Sequence, residues 1–301
     1  MNAESLYKYV DIRGLTRILE GSIRFTQPGA FNDPFDLLPE LVIHKDDHEK
    51  NLAISFDLSA ERRNPTIGEV DMVDEGFVSS DLTSRNIVKN LNKLIGILCL
   101  SRSSNSVLMW SHYADQYTGA IIEFDAKNAF FSGQIDIEYT EKRQRKDLNS
   151  YLATPIPISE ICVKSIDWKY EEEVRIIRKL FDCINIEKED PRGFPIYVQK
   201  IPQECIKSII LGERTAIIDQ RKIYYLVKNT EIGLSLSAID NNGYQFRREL
   251  IKLSGPQSKL LGPVISPRTA HIFSDLKTPL GDFARFMINR HPLSCIVNNT
   301  L

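Results

Sequence analysis

Two carboxylates and a guanidinium stand at alternate positions in the stretch Asp167-Trp168-Lys169-Tyr170-Glu171-Glu172-Glu173-Val174-Arg175-Ile176-Ile177. Read as a β-strand, this spacing puts Glu171, Glu173 and Arg175 on one face and Tyr170, Glu172, Val174 and Ile176 on the other. The two glutamates then lie about 6.5–7 Å apart along the chain. Burying such a row costs free energy unless the charges are partnered. The chemistry within its reach is cleavage of an N-glycosidic bond. One carboxylate can hold a sugar hydroxyl while the other stabilises positive charge at the anomeric carbon. An exposed polar face, with Arg175 pairing its neighbours, accounts for the pattern equally well.

A second concentration of functional groups is Met109-Trp110-Ser111-His112-Tyr113-Ala114, which carries the other tryptophan. Its rings could wall a site for a planar ligand. Packing into a core explains Trp110 better, and His112 and Tyr113 fit either account. In the loop Phe31-Asn32-Asp33-Pro34-Phe35, Asn32 and Asp33 could aim an amide and a carboxylate into a cleft beside the Tyr7 strand, although turn chemistry alone suffices for them. Phe31 and Phe35 are expected to anchor that loop to the core. Arg102, just after an apolar strand, could reach a phosphate or form a surface salt bridge.

Other chemistries have little support. There is no P-loop, no Gly-x-Gly-x-x-Gly after a strand, no His-Glu-x-x-His and no Gly-x-Ser-x-Gly. His44 and His48 are one helical turn apart but have no further ligands near them, so no metal is expected. The five cysteines include no Cys-x-x-Cys pair, which fits a reducing cytoplasm. The net charge of −2 advertises no nucleic-acid binding, no apolar run reaches membrane-spanning length, and nothing reads as a signal peptide.

The elements that must position these groups mix strand and helix without regular βα alternation. Strands are expected at 6–10, 22–26, 95–101, 119–125, 134–139, around Trp168, and at 194–201, 205–211, 234–239 and 244–253. Helices are expected from an Asp11 cap to Glu20 with Gly21 as the stop, from Asp81 or Ser80 to Lys93, and from Thr215 to Lys228. Residues 40–80 read as helices and loops, and 141–150 as a charged helix or loop. Asp240-Asn241-Asn242-Gly243 reads as a hairpin turn. The fold class is α+β: one main domain, residues 1–253, with a mixed, largely antiparallel sheet flanked by helices. Residues 254–301 form a C-terminal extension with a helix at 280–288, packed on the domain or on a partner.

Taken together, several pieces resemble the mostly bacterial family called domain of unknown function 2971. They are Leu6-Tyr7-Lys8-Tyr9, the helix ending at Gly21, Phe31-Asn32-Asp33-Pro34-Phe35, Trp110-Ser111-His112-Tyr113-Ala114, Gly119 through Phe124, Trp168-Lys169-Tyr170-Glu171-x-Glu173-x-Arg175, and Leu211-Gly212. They cover about residues 6–250. More distantly, the order of elements resembles ADP-ribosyltransferases of DarT type, although Leu6-Tyr7-Lys8-Tyr9 replaces the His or Arg with which many of those enzymes open. That likeness implies NAD as substrate, with Tyr7 facing its ribose, Tyr113 stacking on nicotinamide beside Trp110, Glu173 as the catalytic carboxylate and Glu171 assisting. Asn32, Asp33, Arg102, His112 and Arg175 complete the expected binding set. The implied activity is transfer of ADP-ribose to a macromolecular acceptor, as a toxin or anti-phage effector with an activating or neutralising partner protein. Two alternatives stay open: a non-enzymatic module that senses a nucleotide or phage component, and a metal-dependent nuclease using Asp33, Glu171 and Glu173.

Overall fold

The computed structural model describes residues 4–42, 52–57, 66–72, 80–149 and 156–291. The chain divides into two compact units, each assembled from separated stretches. Unit 1 comprises Met1–Ser22, Ser101–Phe130 and Ile201–Leu301; unit 2 comprises Ile23–Leu100 and Phe131–Lys200. The architecture is α+β with a mixed sheet, as the element order predicts. Among the described residues, no helix is long and apolar enough to cross a membrane.

In unit 1, β1 (Ser5–Val10), β7 (Ala120–Asp125), β16 (Ile206–Leu211), β17 (Gly233–Ile239) and β18 (Phe246–Lys252) lie side by side in that order. All neighbours pair antiparallel except β16 and β17, which are parallel. A parallel pair needs a crossover, and helix α4 (Ile217–Val227) supplies it. Leu6, Ile122, Phe124, Ile209 and Leu234 fill the core side of this sheet. Helix α1 (Ile12–Leu19) begins where expected: Asp11 Oδ1 accepts the Gly14 amide at 2.7 Å. Gly21 follows its end at φ +89°, a left-handed position that favours glycine. The Asp240–Gly243 turn joins the antiparallel β17 and β18 as the sequence predicts.

The segment after residue 253 clusters with unit 1 and carries helix α5 (Pro279–Arg290). Its approach is tied to α4 through Arg221, whose guanidinium donates to the carbonyls of His271 (2.7 Å) and Ile272 (3.0 Å) and pairs with Asp275. Helix α3 (Val107–Tyr113) is capped by Ser106 and leads into Asp115, Gln116 and Tyr117, all with positive φ. Gly119 and Gly212 pass so close to this turn that a Cβ on Gly212 would stand 2.0 Å from the Tyr117 carbonyl oxygen.

Unit 2 holds β6 (Ile95–Ser101), β13 (Glu173–Lys179) and β8 (Gln134–Asp136) as neighbours. Around them are short ribbons: β2 (Ser22–Phe25) with β15 (Pro195–Lys200) and β14 (Ile184–Glu189); β3 (Glu40–Val42) with β10 (Arg145–Asp147); β9 (Glu138–Thr140) with β12 (Val163–Ser165); and β4 (Leu52–Asp57) with β5 (Thr66–Met72) and β11 (Ile156–Pro157). Helix α2 (Ser80–Leu94) buries Ile87 and Leu91 against a core that includes Leu41, Ile95, Ile135 and Ile177, while Leu82 at its start stays half exposed.

Three expectations need correction here. Among the described residues of 40–80, strands at 40–42, 52–57 and 66–72 stand where helices and loops are expected. Leu52-Ala53-Ile54-Ser55-Phe56-Asp57 has the alternation of a strand, but over too short a run to outweigh its polar flanks. The 141–150 stretch contains strand β10, because Arg145–Asp147 gain backbone partners in β3 that their charges do not advertise. Phe35 is 59% exposed, so the 31–35 loop is anchored by Phe31 alone. His44 and His48 lie outside the described residues.

Candidate functional site

Unit 2 brings together five charged side chains, three of them from the Asp167–Ile177 stretch, in a nearly dry interior. The local backbone is not the continuous strand that the alternation predicts. Ile166–Glu171 is a 3₁₀ helix, begun by Ser165, whose hydroxyl accepts the Asp167 amide. Glu172 then turns left-handed at φ 43°, and only from Glu173 onward is the chain extended as β13. The 3₁₀ pitch and the left-handed corner, rather than strand periodicity, carry Glu171 and Glu173 toward the same point.

That point is the ammonium of Lys164, on the neighbouring strand β12. Its Nζ lies 2.8 Å from Glu171 Oε2, 2.8 Å from Glu173 Oε2 and 3.6 Å from Asp36 Oδ2. Arg175 is 0% exposed and grips two carboxylates. Its Nη1 and Nη2 donate to Asp36 Oδ1 and Oδ2 at 2.8 and 2.6 Å, and its Nε and Nη2 donate to Glu173 Oε1 and Oε2 at 2.7 and 3.1 Å. Asp36 is delivered by the turn after Asp33-Pro34. Asp33 Oδ1 accepts the Phe35 amide at 2.9 Å, and the Asp36 amide donates to the Asp33 carbonyl at 3.2 Å. Phe31 lies under the Arg175 guanidinium at 5.3 Å, and Trp168 faces Lys164 at 5.4 Å.

The electrostatics follow from this packing. Burial alone would raise the pKa of Glu173; Arg175 and Lys164 outweigh it and, with hydrogen bonds from Arg175 and the Cys99 thiol, hold it down at about 2. Burial would likewise strip the proton from Lys164, but the charges of Glu173 and Asp36 hold it well above the usual lysine range. Tyr139, whose hydroxyl oxygen accepts the Glu173 amide at 2.8 Å, is pushed up to about 12 by its burial and the adjoining glutamates. Cys162, touched by the Arg175 guanidinium, is pushed up to about 11, chiefly by burial. Three carboxylates against two cations leave one formal negative charge.

Lys164 also lines an open cleft of about 220 Å³, whose other walls include Phe35, Thr140, Arg143, Lys146, Glu160 and Ser165. Arg143 is held over the Phe35 ring at 5.5 Å and donates to the Leu38 and Pro39 carbonyls at 2.8 and 3.2 Å. Lys146 is paired with Glu160 at 3.4 Å. The cleft therefore offers an exposed aromatic ring, the cations Arg143 and Lys146 beside the carboxylates of Glu141 and Glu160, and hydroxyls from Thr140 and Ser165.

Of the residues singled out by sequence, Asn32, Asp33, Glu171, Glu173 and Arg175 belong to unit 2, and Tyr7, Arg102, Trp110, His112 and Tyr113 to unit 1. Glu171, Glu173 and Arg175 meet in the ionic cluster. Asp33 is buried beside it as a turn former, and Asn32 is exposed. Trp110 is 1% exposed and packs edge-on against Tyr9 (5.6 Å) and Phe246 (6.1 Å), which makes it a core residue of unit 1. His112 is exposed, with Tyr113 edge-on beside it; Tyr7 and Arg102 are half-buried. Sequence reasoning missed Asp36 and Lys164 as members of the cluster. Asp36 ends the turn signal that starts at Asn32, and its spacing was readable. Lys164 had no signal: only the ladder between β12 and β9 places it. Among the described residues, no group of three His, Cys, Asp or Glu is arranged to hold a metal ion, and the Lys164 ammonium sits between the Glu171 and Glu173 carboxylates.

A family model described as "Protein of unknown function (DUF2971)" matches residues 109–176. The matched stretch runs from the Trp110 motif through β7 to Arg175, so it contains every member of the cluster except Asp36. No curated protein and no solved structure matches the chain.

Proposed function

We propose that this chain, with its DUF2971 match from Met109 to Ile176, is a ligand-binding module whose buried ionic cluster is a structural keystone beneath a nucleotide-sized cleft. The observation that carries this reading is the saturation of Glu173: both its oxygens are taken by Arg175 and Lys164, and its side chain is 5% exposed. A carboxylate so engaged faces cations rather than a substrate, and its work is to fix Arg175, Asp36 and Lys164. Lys164 in turn forms part of the cleft wall. The cleft's chemistry fits an anionic ligand with a planar ring: Phe35 for the ring, Arg143 and Lys146 for phosphate, Thr140 and Ser165 for sugar hydroxyls.

Calorimetric titration with AMP, ADP and NAD tests this. The expected result is saturable binding of at least one of them, weakened about tenfold by Arg143→Ala. Absence of binding by all three, or affinity unchanged in that variant, removes the reading.

A second reading keeps the enzyme: ADP-ribosyl transfer from NAD to a macromolecular acceptor in a reducing cytoplasm, with Glu173 and Glu171 as the carboxylate pair. The observation in its favour is that Glu171 and Glu173 do converge, each 2.8 Å from one ammonium. It requires a ligand that displaces Lys164 from Glu173, and it makes nicotinamide release the deciding signal.

A further inference from the structure

Unit 1 carries a second polar cluster, which the reading above does not use. On β7, Glu123 sits directly opposite Tyr7 of β1 on one side and Ser208 of β16 on the other. Residues paired across an antiparallel ladder share a face, so Tyr7, Glu123 and Ser208 present their side chains together. Glu123 accepts the Ser5 hydroxyl at 2.8 Å on Oε1 and the Ser208 hydroxyl at 2.7 Å on Oε2. Two cations stand at the edge of contact: Arg248 Nη1 is 3.5 Å from Oε2 and Lys207 Nζ is 3.9 Å from Oε1. Arg248 is steadied by the Ser104 hydroxyl (3.2 Å) and Lys207 donates to the Ser5 hydroxyl (3.0 Å). The group stays ionised: burial opposes the charge, but the two hydroxyls, Arg248 and Lys207 bring its pKa below the ordinary value. Glu123, Lys207, Ser208 and Arg248 border a cleft of about 250 Å³, lined also by Ser235, Leu250 and Lys252, whose ammonium is turned to the Thr230 and Ile232 carbonyls.

A carboxylate can only accept hydrogen bonds, so a ligand meeting Glu123 must bring a donor. Two cations against one carboxylate leave a positive balance, so the ligand must also bring an anion. A hydroxylated phosphate monoester has both, and its size suits the cleft. We propose that this face of unit 1 is a binding site for a sugar-phosphate group, with the phosphate held by Lys207 and Arg248 and a sugar hydroxyl donating to Glu123. The site stands on unit 1 alone, independently of the unit 2 cleft.

The test is titration of the full chain with ribose 5-phosphate, AMP, ribose and inorganic phosphate, on the wild type and on Arg248→Ala, Lys207→Ala, Glu123→Gln and Arg143→Ala. Arg248 and Lys207 are substantially exposed, so their removal leaves the core intact. The expected result is that ribose 5-phosphate or AMP binds and ribose does not. Arg248→Ala and Lys207→Ala should each weaken binding about tenfold. Glu123→Gln should reduce the advantage over inorganic phosphate, and Arg143→Ala should leave unchanged the binding of ribose 5-phosphate and the part of AMP binding that Arg248→Ala and Lys207→Ala weaken. Tighter binding of AMP than of ribose 5-phosphate identifies a nucleotide as the source of the group; the reverse identifies a free sugar phosphate. The proposal is overturned if neither binds, if Arg248→Ala and Lys207→Ala bind as the wild type does, or if inorganic phosphate binds as tightly as the ester. Binding lost only in Arg143→Ala would overturn it too, and would assign the ligand to unit 2.

Discussion

Arg175 and Asp36 are 139 positions apart and meet in a two-pronged ion pair, Nη1 to Oδ1 at 2.8 Å and Nη2 to Oδ2 at 2.6 Å. The pair ties β13 to the turn after Pro34, and both side chains are nearly inaccessible. Removing one partner leaves the other charged and dry. Asp36→Ala should therefore lose about 3–5 kcal/mol of stability in urea unfolding. A loss under 1 kcal/mol would mean that solvent or Glu173 replaces Asp36 at no cost, contrary to the keystone role.

The cluster also sets a response to acid. Glu173 loses its proton near 4.5 when unfolded and at about 2 when folded. The folded state therefore gains stability from it above pH 4.5, and that gain disappears as the pH falls toward 2. The contribution is at most about 3 kcal/mol, since Glu173 titrates together with its neighbours. Stability of the wild type should drop over that window, while Glu173→Gln, already weakened at pH 7, should show a shallower decline. Parallel pH profiles for the two proteins would show that Glu173 is not a linked group.

Much of this arrangement was legible in the sequence, but by a partly mistaken route. Alternate acidic and basic residues at 171, 173 and 175 marked the cluster correctly. The strand expected to align them starts only at Glu173, because the side chain of Ser165 nucleates a 3₁₀ turn ahead of it. Asp11 and Gly21 delimited α1 because cap chemistry is local. Lys164 and the ribbons of residues 40–72 were opaque for the opposite reason: their partners are remote, and a charged residue carries no mark of whether it will be buried. The Glu123 cluster was hidden likewise, since three strands distant in sequence must pair before Ser5, Glu123 and Ser208 meet.

The turn after α3 depends on two glycines. A Cβ on Gly212 would stand 2.0 Å from the Tyr117 carbonyl oxygen, and one on Gly119 would stand 2.2 Å from that of Val10. Backbone cannot yield as a flexible side chain does. Gly212→Ala should lower stability by about 1–3 kcal/mol, read from the denaturation midpoint, whereas Gly262→Ala should cost far less, because its Cβ would meet nothing within 4 Å and its backbone is outside the left-handed region. Equal effects of the two would show that close approach at Gly212 is not what demands glycine.

The Cys162 thiol lies in the core of unit 2, and its pKa is pushed up to about 11, first by burial. Thiolate is the reactive form, so at pH 8 Cys162 should resist iodoacetamide in the folded protein and react once the chain is unfolded. Peptide mapping after timed alkylation reads this directly. Prompt labelling of Cys162 under native conditions would mean that the region around the ionic cluster opens readily.

The most direct test of the central claim is nicotinamide release from NAD by the purified protein, with and without cell lysate, beside Glu173→Gln at matched folded fraction. The account predicts no release by either protein in either condition, with Glu173→Gln distinguished only by a loss of several kcal/mol in stability. Release by the wild type that vanishes in folded Glu173→Gln would contradict it and would make Glu173 a catalytic carboxylate.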